Sequence, residues 1–246
     1  KSSVEGGVTP TLDSLGAGER LQIVAETELE IAFSILARPG TTLADVRTIR
    51  GYPHASGQVR EWLANNLPDA EVQPASSNAG AAEDVAAGIA DAAVSTALAG
   101  TRLGLDELAS QVADFDSART RFVLVTRPTT PPARTGNDRT AAVLLPNNEP
   151  GSLVRVLSEF ASRGIDLTLI ESRPLRTEMG TYRFFVDCIG HIDDSLVAEA
   201  FRAVHRTSDV LFLGSWPAAN PSGPPPPSDD EAAEWIERIR RGEWAS

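Results

Sequence analysis

The sequence predicts an α/β protein in which a layered α/β domain precedes a ferredoxin-like domain. Strand-like and helix-like segments alternate up to residue 126, which is typical of a sheet covered by helices. Residues 127–138 are rich in proline and interrupt this pattern, so they indicate a linker. The segments after the linker have the order β-α-β-β-α-β, which is the ferredoxin-like arrangement.

The first domain opens with a short predicted helix over residues 8–16, in which Thr9 is a candidate N-cap and Pro10 suits the first turn. Alternating or continuous apolar runs then predict strands, and apolar residues at helical spacing predict helices. The predicted strands cover residues 21–28, 29–37, 46–51, 71–74, 92–94 and 111–112. The predicted helices cover residues 55–67, 77–87 and 96–103.

The second domain follows the proline-rich segment. Its predicted elements are strands 140–145, 166–173, 181–189 and 210–213, with helices 150–163 and 193–207. A second proline-rich stretch, residues 221–227, precedes an amphipathic helix over residues 229–241. We therefore predict a domain over 1–126, a linker over 127–138, a domain over 139–217 and a tail over 218–246.

The composition limits the partners of this chain of 246 residues. Its net charge is −12, from 22 basic and 34 acidic residues, which argues against nucleic acid or an anionic membrane as partner. No run of 18 apolar residues predicts a membrane span, and a cytoplasmic location fits. The single cysteine, Cys188, alternates with apolar residues and is interpreted as a small core residue of a strand. No Cys/His cluster has the spacing of metal ligands, so we expect no metal.

The most informative stretch is residues 117–126, where polar and cationic residues run into a β-branched apolar run. This pattern predicts a buried strand with Thr120 and Arg121 at its start, where side chains can face a cleft. Arg121 offers a fork of donors suited to a carboxylate, and Thr120 offers a hydroxyl. The alternative is a threonine that ends a loop and an arginine on the surface.

Four short motifs occur in this sequence. They are Thr120-Arg121-Phe122 (TRF), Ser3–Gly7 (the second half of a "PIENSxxG" segment), Glu171–Pro174 (ESRP) and Gly151–Val154 (GALV, with Ser152 in place of Ala). In order and spacing they resemble the motifs of the prephenate dehydratases, and the resemblance covers residues 1–217.

This resemblance implies one lobe of a two-lobed, periplasmic-binding-protein-like catalytic domain, followed by an ACT regulatory domain. The implied reaction decarboxylates and dehydrates prephenate to phenylpyruvate in L-phenylalanine biosynthesis, and it needs no cofactor. The resemblance implies that Thr120 assists departure of the ring hydroxyl as a hydrogen-bond donor. Arg121 binds a carboxylate or shapes the site, and Phe122 packs beneath it.

Four further residues are expected at the substrate site through the same resemblance. Ser3 matches the serine of the "ENS" segment and would donate to the substrate. Gln58 matches a glutamine that lines the cleft of the family. Ser77 and Asn78 open a helix where family members carry a Ser-Thr pair, and free N–H groups at a helix N-terminus suit a carboxylate. The alternative for Ser77 is a plain N-cap.

The resemblance also implies feedback inhibition by L-phenylalanine, bound between two ACT domains, and hence a homodimer or homotetramer. The residues of the amino-acid site would be Gly151, Ser152, Leu153 and Val154 of one subunit, with Glu171, Ser172, Arg173 and Pro174 of the other. Gly151 at a helix start would let a ligand carboxylate approach backbone N–H groups. The alternative is that Pro150-Gly151 is an ordinary turn before a helix and that Glu171–Arg173 is a charged strand end.

The chain departs from the family pattern at its start. Lys1-Ser2 stands where the family usually has Glu-Asn, and the upstream segment with a "GPxGTFS" motif is not in this sequence. We therefore expect an N-terminally truncated catalytic domain. Three alternatives stay open: a catalytically incomplete module that binds phenylalanine and dimerises, an arogenate dehydratase, and a lobe like that of solute receptors. The ACT-like domain argues against the last.

Overall fold

The structure is a computed structural model that describes residues 9–16, 19–114, 119–175, 181–221 and 223–243. The chain divides into two compact units. Of the described residues, 28–114 and 119–121 belong to the first unit. The second unit contains residues 9–16 and 19–27 together with those from 122 onward. Residues far upstream of the linker therefore pack with the C-terminal half of the chain.

The first unit is built on a five-stranded mixed sheet, whose described strands have the order β4-β3-β5-β2-β6. Strand β3 pairs in parallel with β4 and β5, whereas β2 pairs antiparallel with β5 and β6. The strands are β2 (Ser34–Ala37), β3 (Thr48–Gly51), β4 (Glu71–Pro74), β5 (Ala92–Ser95) and β6 (Asp106–Ala109). The helices are α2 (Pro53–Gly57), α3 (Arg60–Asn66), α4 (Asn78–Ala86) and α5 (Ala97–Leu103).

Two strands continue from one unit into the other. These are β1 (Gln22–Glu30) and β7 (Arg119–Thr126), which together form a two-stranded sheet. Strand β7 carries Thr120 and Arg121, as the apolar run predicted. The prediction that this strand is buried is wrong, because each of its residues is exposed or only partly buried and Leu124 is 62% exposed. Helix α1 (Thr9–Gly16) precedes β1 in the chain and belongs to the second unit.

The second unit contains the four-stranded antiparallel sheet of a ferredoxin-like domain, with strand order β11-β8-β10-β9. Two helices, α6 and α7, cover one face, so the predicted βαββαβ arrangement is confirmed. The elements are β8 (Asp138–Leu145), α6 (Ser152–Ala161), β9 (Leu167–Pro174), β10 (Tyr182–Ile189), α7 (Ser195–His205) and β11 (Asp209–Pro217). Helix α8 (Asp230–Arg240) follows in the tail.

Cys188 lies on β10 inside the core between the sheet and its helices. Burial raises the pKa of its thiol to about 12, so the side chain is an uncharged core residue, as the sequence predicted.

The proline-rich segment before β8 is fixed to the second unit by specific contacts. The carbonyl oxygen of Pro132 lies 3.0 Å from Nε2 of the buried His191, and Arg134 forms an ion pair with Asp194 at 2.7 Å. The backbone N–H groups of Thr135 and Gly136 both donate to the Asp138 carboxylate at 2.8 Å. His191 thus has a structural role in holding this segment.

Three predicted boundaries were wrong, each for a local reason. The segment 111–112 is not a strand, since Gln111 has a left-handed φ of 51°, and the edge strand is β6 instead. The predicted helix 55–67 is two helices, because Val59 between them has a non-helical ψ of 15° at φ −124°. The predicted strand 29–37 is extended as β2 only from Ser34, since β1 continues to Glu30.

Candidate functional site

The edge of the first unit's sheet at the carboxyl ends of its parallel strands is the candidate site. Helix α2 begins shortly after β3, helix α4 follows β4, and helix α5 follows β5. In open α/β sheets, ligands bind beyond the carboxyl ends of the strands, where helix N-termini and polar loop residues collect. Gln58, Ser77 and Asn78 all lie in the segments that leave this edge.

Ser77 is the N-cap of helix α4, a role that the sequence indicated beside substrate binding. Its Oγ accepts a hydrogen bond from the backbone N–H of Gly80 at 2.9 Å. This bond satisfies one of the donors that a helix start leaves unpaired. N–H groups of a helix first turn are a common binding site for a carboxylate.

Asn78 has a buried side-chain oxygen without a hydrogen-bond partner in the described part of the chain. Its backbone carbonyl accepts a hydrogen bond from Oγ of Ser95 at 2.7 Å, which joins α4 to the end of β5. An unpaired buried acceptor is costly, and a ligand is one partner that can satisfy it. Asn78 is therefore suited to accept a hydrogen bond from a ligand.

Gln58 is largely buried, and its backbone is held from both sides. Its N–H donates to the Ala55 carbonyl at 3.0 Å, and its carbonyl accepts from the backbone N–H of Asp114 at 2.7 Å. The Asp114 carboxylate in turn accepts hydrogen bonds from the backbone N–H groups of Glu61 and Trp62, both at 3.0 Å. The segment with Asp114 thus fixes the turn that carries Gln58.

Sequence reasoning missed Ser95 and Asp114. Ser95 directly follows the apolar run Ala92–Val94, and a polar residue at the end of a buried strand is a signal that could have been used. Asp114 had no such signal, because its partners in helix α3 are distant in sequence and depend on how the chain folds back.

Thr120 and Arg121 are half-buried on β7, in the two-stranded sheet, whereas Gln58, Ser77 and Asn78 belong to segments of the five-stranded sheet. Arg119, just before them, forms an ion pair with Glu28 of β1 at 3.9 Å.

The expectation that Phe122 packs beneath Arg121 is wrong, because Phe122 is 48% exposed. Neighbouring residues of a strand point to opposite faces, so Phe122 cannot lie on the side of Arg121. Ser3 lies outside the described residues.

The start of helix α6 carries the first part of the proposed amino-acid site. Gly151 is the N-cap with a left-handed φ of 79°, a conformation that glycine adopts without strain. Ser152 and Leu153 are partly buried at the first turn, while Val154 is 66% exposed. An exposed valine beside a helix N-terminus offers an apolar contact.

Strand β9, at the edge of its sheet, carries the second part of the proposed amino-acid site. Ser172 and Pro174 are exposed, whereas Glu171 and Arg173 are partly buried. Ser172 stands opposite Phe184, which packs with the helix-covered core, and Arg173 stands opposite Arg183 on the other face. The structure thus divides the predicted residues of β9 between the two faces of the sheet.

The described residues contain no group of three or more His, Cys, Asp or Glu side chains that could hold a metal ion. Within the same residues, no helix is both long and apolar enough to cross a membrane.

Comparison with known proteins identifies the family. A family model described as prephenate dehydratase matches residues 1–130, and one described as ACT domain matches residues 140–206. A curated prephenate dehydratase from Mycobacterium tuberculosis is 59% identical over 243 residues, which cover 98% of this chain and 76% of that relative.

Solved structures agree. The prephenate dehydratase of Arthrobacter aurescens, in complex with L-Phe, has a TM-score of 0.87 at 41% identity. The match covers 98% of this chain and 82% of the Arthrobacter aurescens chain. The prephenate dehydratase of Staphylococcus aureus has a TM-score of 0.71 at 22% identity. The match covers 87% of this chain and 79% of the Staphylococcus aureus chain, and it shows a similar fold. The chain belongs to the prephenate dehydratase family, in the form in which an ACT domain follows the catalytic region.

Proposed function

We propose that this chain converts prephenate to phenylpyruvate and that L-phenylalanine, bound to the ACT domain, inhibits the reaction. In this reaction the bond from the ring to one carboxylate breaks and CO2 leaves. Its electron pair enters the ring as the ring C–O bond breaks, and the departing hydroxide takes up a proton to become water. The ring becomes aromatic, so the protein needs mainly to hold the substrate and assist the leaving group.

The observation that carries this proposal is the position of Thr120 and Arg121, half-buried and adjacent at the start of strand β7. An unperturbed threonine is a very weak acid, so the hydroxyl of Thr120 would act by donating a hydrogen bond to the departing oxygen. The guanidinium of Arg121 would bind a carboxylate through paired N–H donors.

The other substrate contacts belong to the same proposal. Ser3 would donate to the substrate, and Gln58, Ser77, Asn78 and Phe122 would line its site. The unpaired oxygen of Asn78 and the first-turn N–H groups after Ser77 support binding of a polar, anionic substrate at this edge.

The regulatory part of the proposal places L-phenylalanine near Gly151–Val154 of one subunit and Glu171–Pro174 of a second copy. It is supported by the Arthrobacter aurescens relative, whose solved structure contains L-Phe. The exposed Val154 beside the helix start provides an apolar contact for an amino acid, and a helix N-terminus suits its carboxylate. Pairing of two copies would complete the site, so we infer a homodimer or homotetramer.

The first experiment measures turnover of prephenate by the 246-residue chain and by its Thr120→Ala variant. We expect kcat to fall by about 100-fold or more, because one hydrogen-bond donor to the leaving group is lost. Thr126→Ala, a change of the same type on the same strand, is the matched control and should retain activity. Equal rates for Thr120→Ala and the wild type would contradict the role of Thr120.

Two further measurements test the substrate and the inhibitor. Arogenate, offered in place of prephenate, should react more slowly, and faster reaction would favour the arogenate alternative. Calorimetric titration with L-phenylalanine should show binding, with D-phenylalanine as the control ligand. Binding without any turnover would favour a module that only senses the amino acid.

A further inference from the structure

Two arginines stand directly opposite each other on the antiparallel strands β9 and β10. Arg173 is the register partner of Arg183, and their side chains are only 23% and 13% exposed. Like charges at opposite positions of an antiparallel pair destabilise the sheet. This arrangement therefore requires a nearby anion.

Asp13, on helix α1, supplies that anion. Its Oδ1 accepts a hydrogen bond from Arg183 at 3.0 Å, and its Oδ2 lies 3.5 Å from the guanidinium of Arg173. Burial raises the pKa of Asp13, but hydrogen bonds and charge from Arg173 and Arg183 outweigh burial and lower this pKa below its usual 3.8. Asp13 is therefore a carboxylate at neutral pH, with one oxygen directed to each arginine.

Arg183 is held on three sides. Besides its bond to Asp13, it donates to the carbonyl oxygen of Gly16 at 2.9 Å, and its guanidinium lies 5.6 Å from the centre of the Phe185 ring. A Cβ at Gly16 would come within 2.8 Å of Phe185 and 2.9 Å of Arg183, so the end of α1 lies in close contact with β10. Arg183 thus forms the fixed side of this cluster.

Arg173 belongs to the segment of the proposed amino-acid site, but it lies on the face of the sheet opposite Ser172. It shares the face of Arg183 and Phe185, where helix α1 packs through Leu12 and Leu15. Ser172 lies on the other face, opposite Phe184. If a ligand near Ser172 moved the backbone of β9, it would also move Arg173 relative to Asp13.

We propose that Asp13 is a positioning residue that couples the amino-acid site on β9 to the catalytic residues. This inference rests on the proposed inhibition by L-phenylalanine. Helix α1 directly follows the segment that contains Ser3, and it precedes β1, the sheet partner of the strand that carries Thr120. A change in the Arg173–Asp13 contact would act on both neighbours of α1 in the chain.

The experiment compares the wild type with Asp13→Asn, which keeps the size of the side chain but removes its charge. Three quantities are measured on the full chain: kcat and KM without inhibitor, the calorimetric Kd of L-phenylalanine, and the activity left at saturating L-phenylalanine. We expect unchanged kcat and KM and retained binding. The residual activity should rise at least about fivefold, because the coupling is lost while both sites remain.

Three further variants separate coupling from folding. Ser14→Ala removes the exposed hydrogen bond from Ser14 to Pro10 on the same helix and should leave inhibition unchanged. Asp13→Glu keeps the charge and should restore most of the inhibition. Arg183→Lys keeps a cation but lacks the forked donor set, and it should weaken inhibition even if Asp13→Asn does not fold.

Each other outcome overturns the proposal in a distinguishable way. If Asp13→Asn binds L-phenylalanine and is inhibited like the wild type, Asp13 does not couple the sites, and the proposed function stands. If Asp13→Asn no longer binds L-phenylalanine, Asp13 belongs to the ligand site itself. If the wild type shows neither binding nor inhibition, the proposed regulation fails, and the coupling role fails with it.

Discussion

The two faces of the second unit's sheet are built from different parts of the chain. Helices α6 and α7 cover one face, and both arise within the ferredoxin-like segment itself. The other face is covered by helix α1 and by residues of β1 and β7, which come from the first 126 residues. The helix-covered face has an apolar core, whereas the second face also contains ion pairs and buried polar contacts.

The polar contacts of the second face are specific. Glu26 of β1 accepts hydrogen bonds from Nε1 of Trp216 at 2.9 Å and from the backbone N–H of Ala219 at 3.0 Å, and it lies 3.6 Å from Arg139. One face thus holds the ferredoxin-like domain together, whereas the other joins it to α1, β1 and β7. Changes to the first face should affect stability most. Changes to the second face should also affect the proposed coupling between the amino-acid site and the catalytic residues.

The largest effect is expected on the helix-covered face, at Phe160. Its ring is fully buried and contacts Phe201 edge-to-face, with 5.4 Å between ring centres. Phe160→Ala should lower the free energy of unfolding by about 3–5 kcal/mol, because it removes apolar contacts and leaves a cavity. Denaturant unfolding followed by tryptophan fluorescence measures this change. A loss below about 1 kcal/mol would mean that this face does not hold the domain together.

The second effect concerns Gly214 of β11, which has a φ of 140°. A Cβ at this position would collide with the carbonyl oxygen of Ile23 on β1. Gly214→Ala should cost about 2–4 kcal/mol, because backbone strain and overlap both oppose the native arrangement. Gly136, with φ 89° and open space around it, is the control, and Gly136→Ala should cost only about 1 kcal/mol. Equal losses for both variants would show that the overlap with β1 is unimportant.

A smaller loss is expected for Glu26→Gln, whose carboxylate is fully buried. The substitution keeps the size but weakens the bonds to Trp216 and Arg139, so we expect a loss of about 1–2 kcal/mol in the free energy of unfolding. Glu28→Gln, on the same strand, removes a long 3.9 Å ion pair and should change stability by less than about 1 kcal/mol. The comparison is made by denaturant unfolding, and it would be contradicted by a larger loss at Glu28.

The smallest effect is a pH dependence that comes from Asp13. Because its pKa is lowered in the folded state, its contribution to stability is present above the ordinary pKa of 3.8 and is lost as the pH falls through the lowered value. The wild type should therefore be more stable than Asp13→Asn at neutral pH, and the two should converge in acid below pH 3.8. Thermal unfolding of both proteins over this range measures the difference. A difference that stays constant with pH would contradict the ionic role of Asp13.

Periodicity was sufficient to predict the ferredoxin-like domain. Apolar residues such as Val156 and Phe160 recur at helical spacing, and those of β8 and β10 recur on strands, so local sequence indicates both element type and buried face. Elements in the first unit were predicted less accurately near 57–60 and 106–112, where Val59 and Gln111 adopt backbone conformations that depend on the surrounding fold.

The candidate site was predicted through motifs rather than through geometry. The strand with Thr120 and Arg121, and the N-cap role of Ser77, followed from local patterns. The exposure of Phe122, the contact of Ser95 with Asn78 and the support of Gln58 by Asp114 did not. These features depend on which segments meet, and sequence spacing does not encode that directly.

The fold class, the family and the segments that carry candidate site residues could be predicted from the sequence, because they depend on residue type and short-range spacing. The packing of α1 and β1 on the ferredoxin-like sheet, and the bridge from Asp13 to Arg173 and Arg183, are visible only in the folded chain. Asp13 and Arg183 are far apart in the chain, and the attraction between their charges acts only after folding has brought them within hydrogen-bond distance.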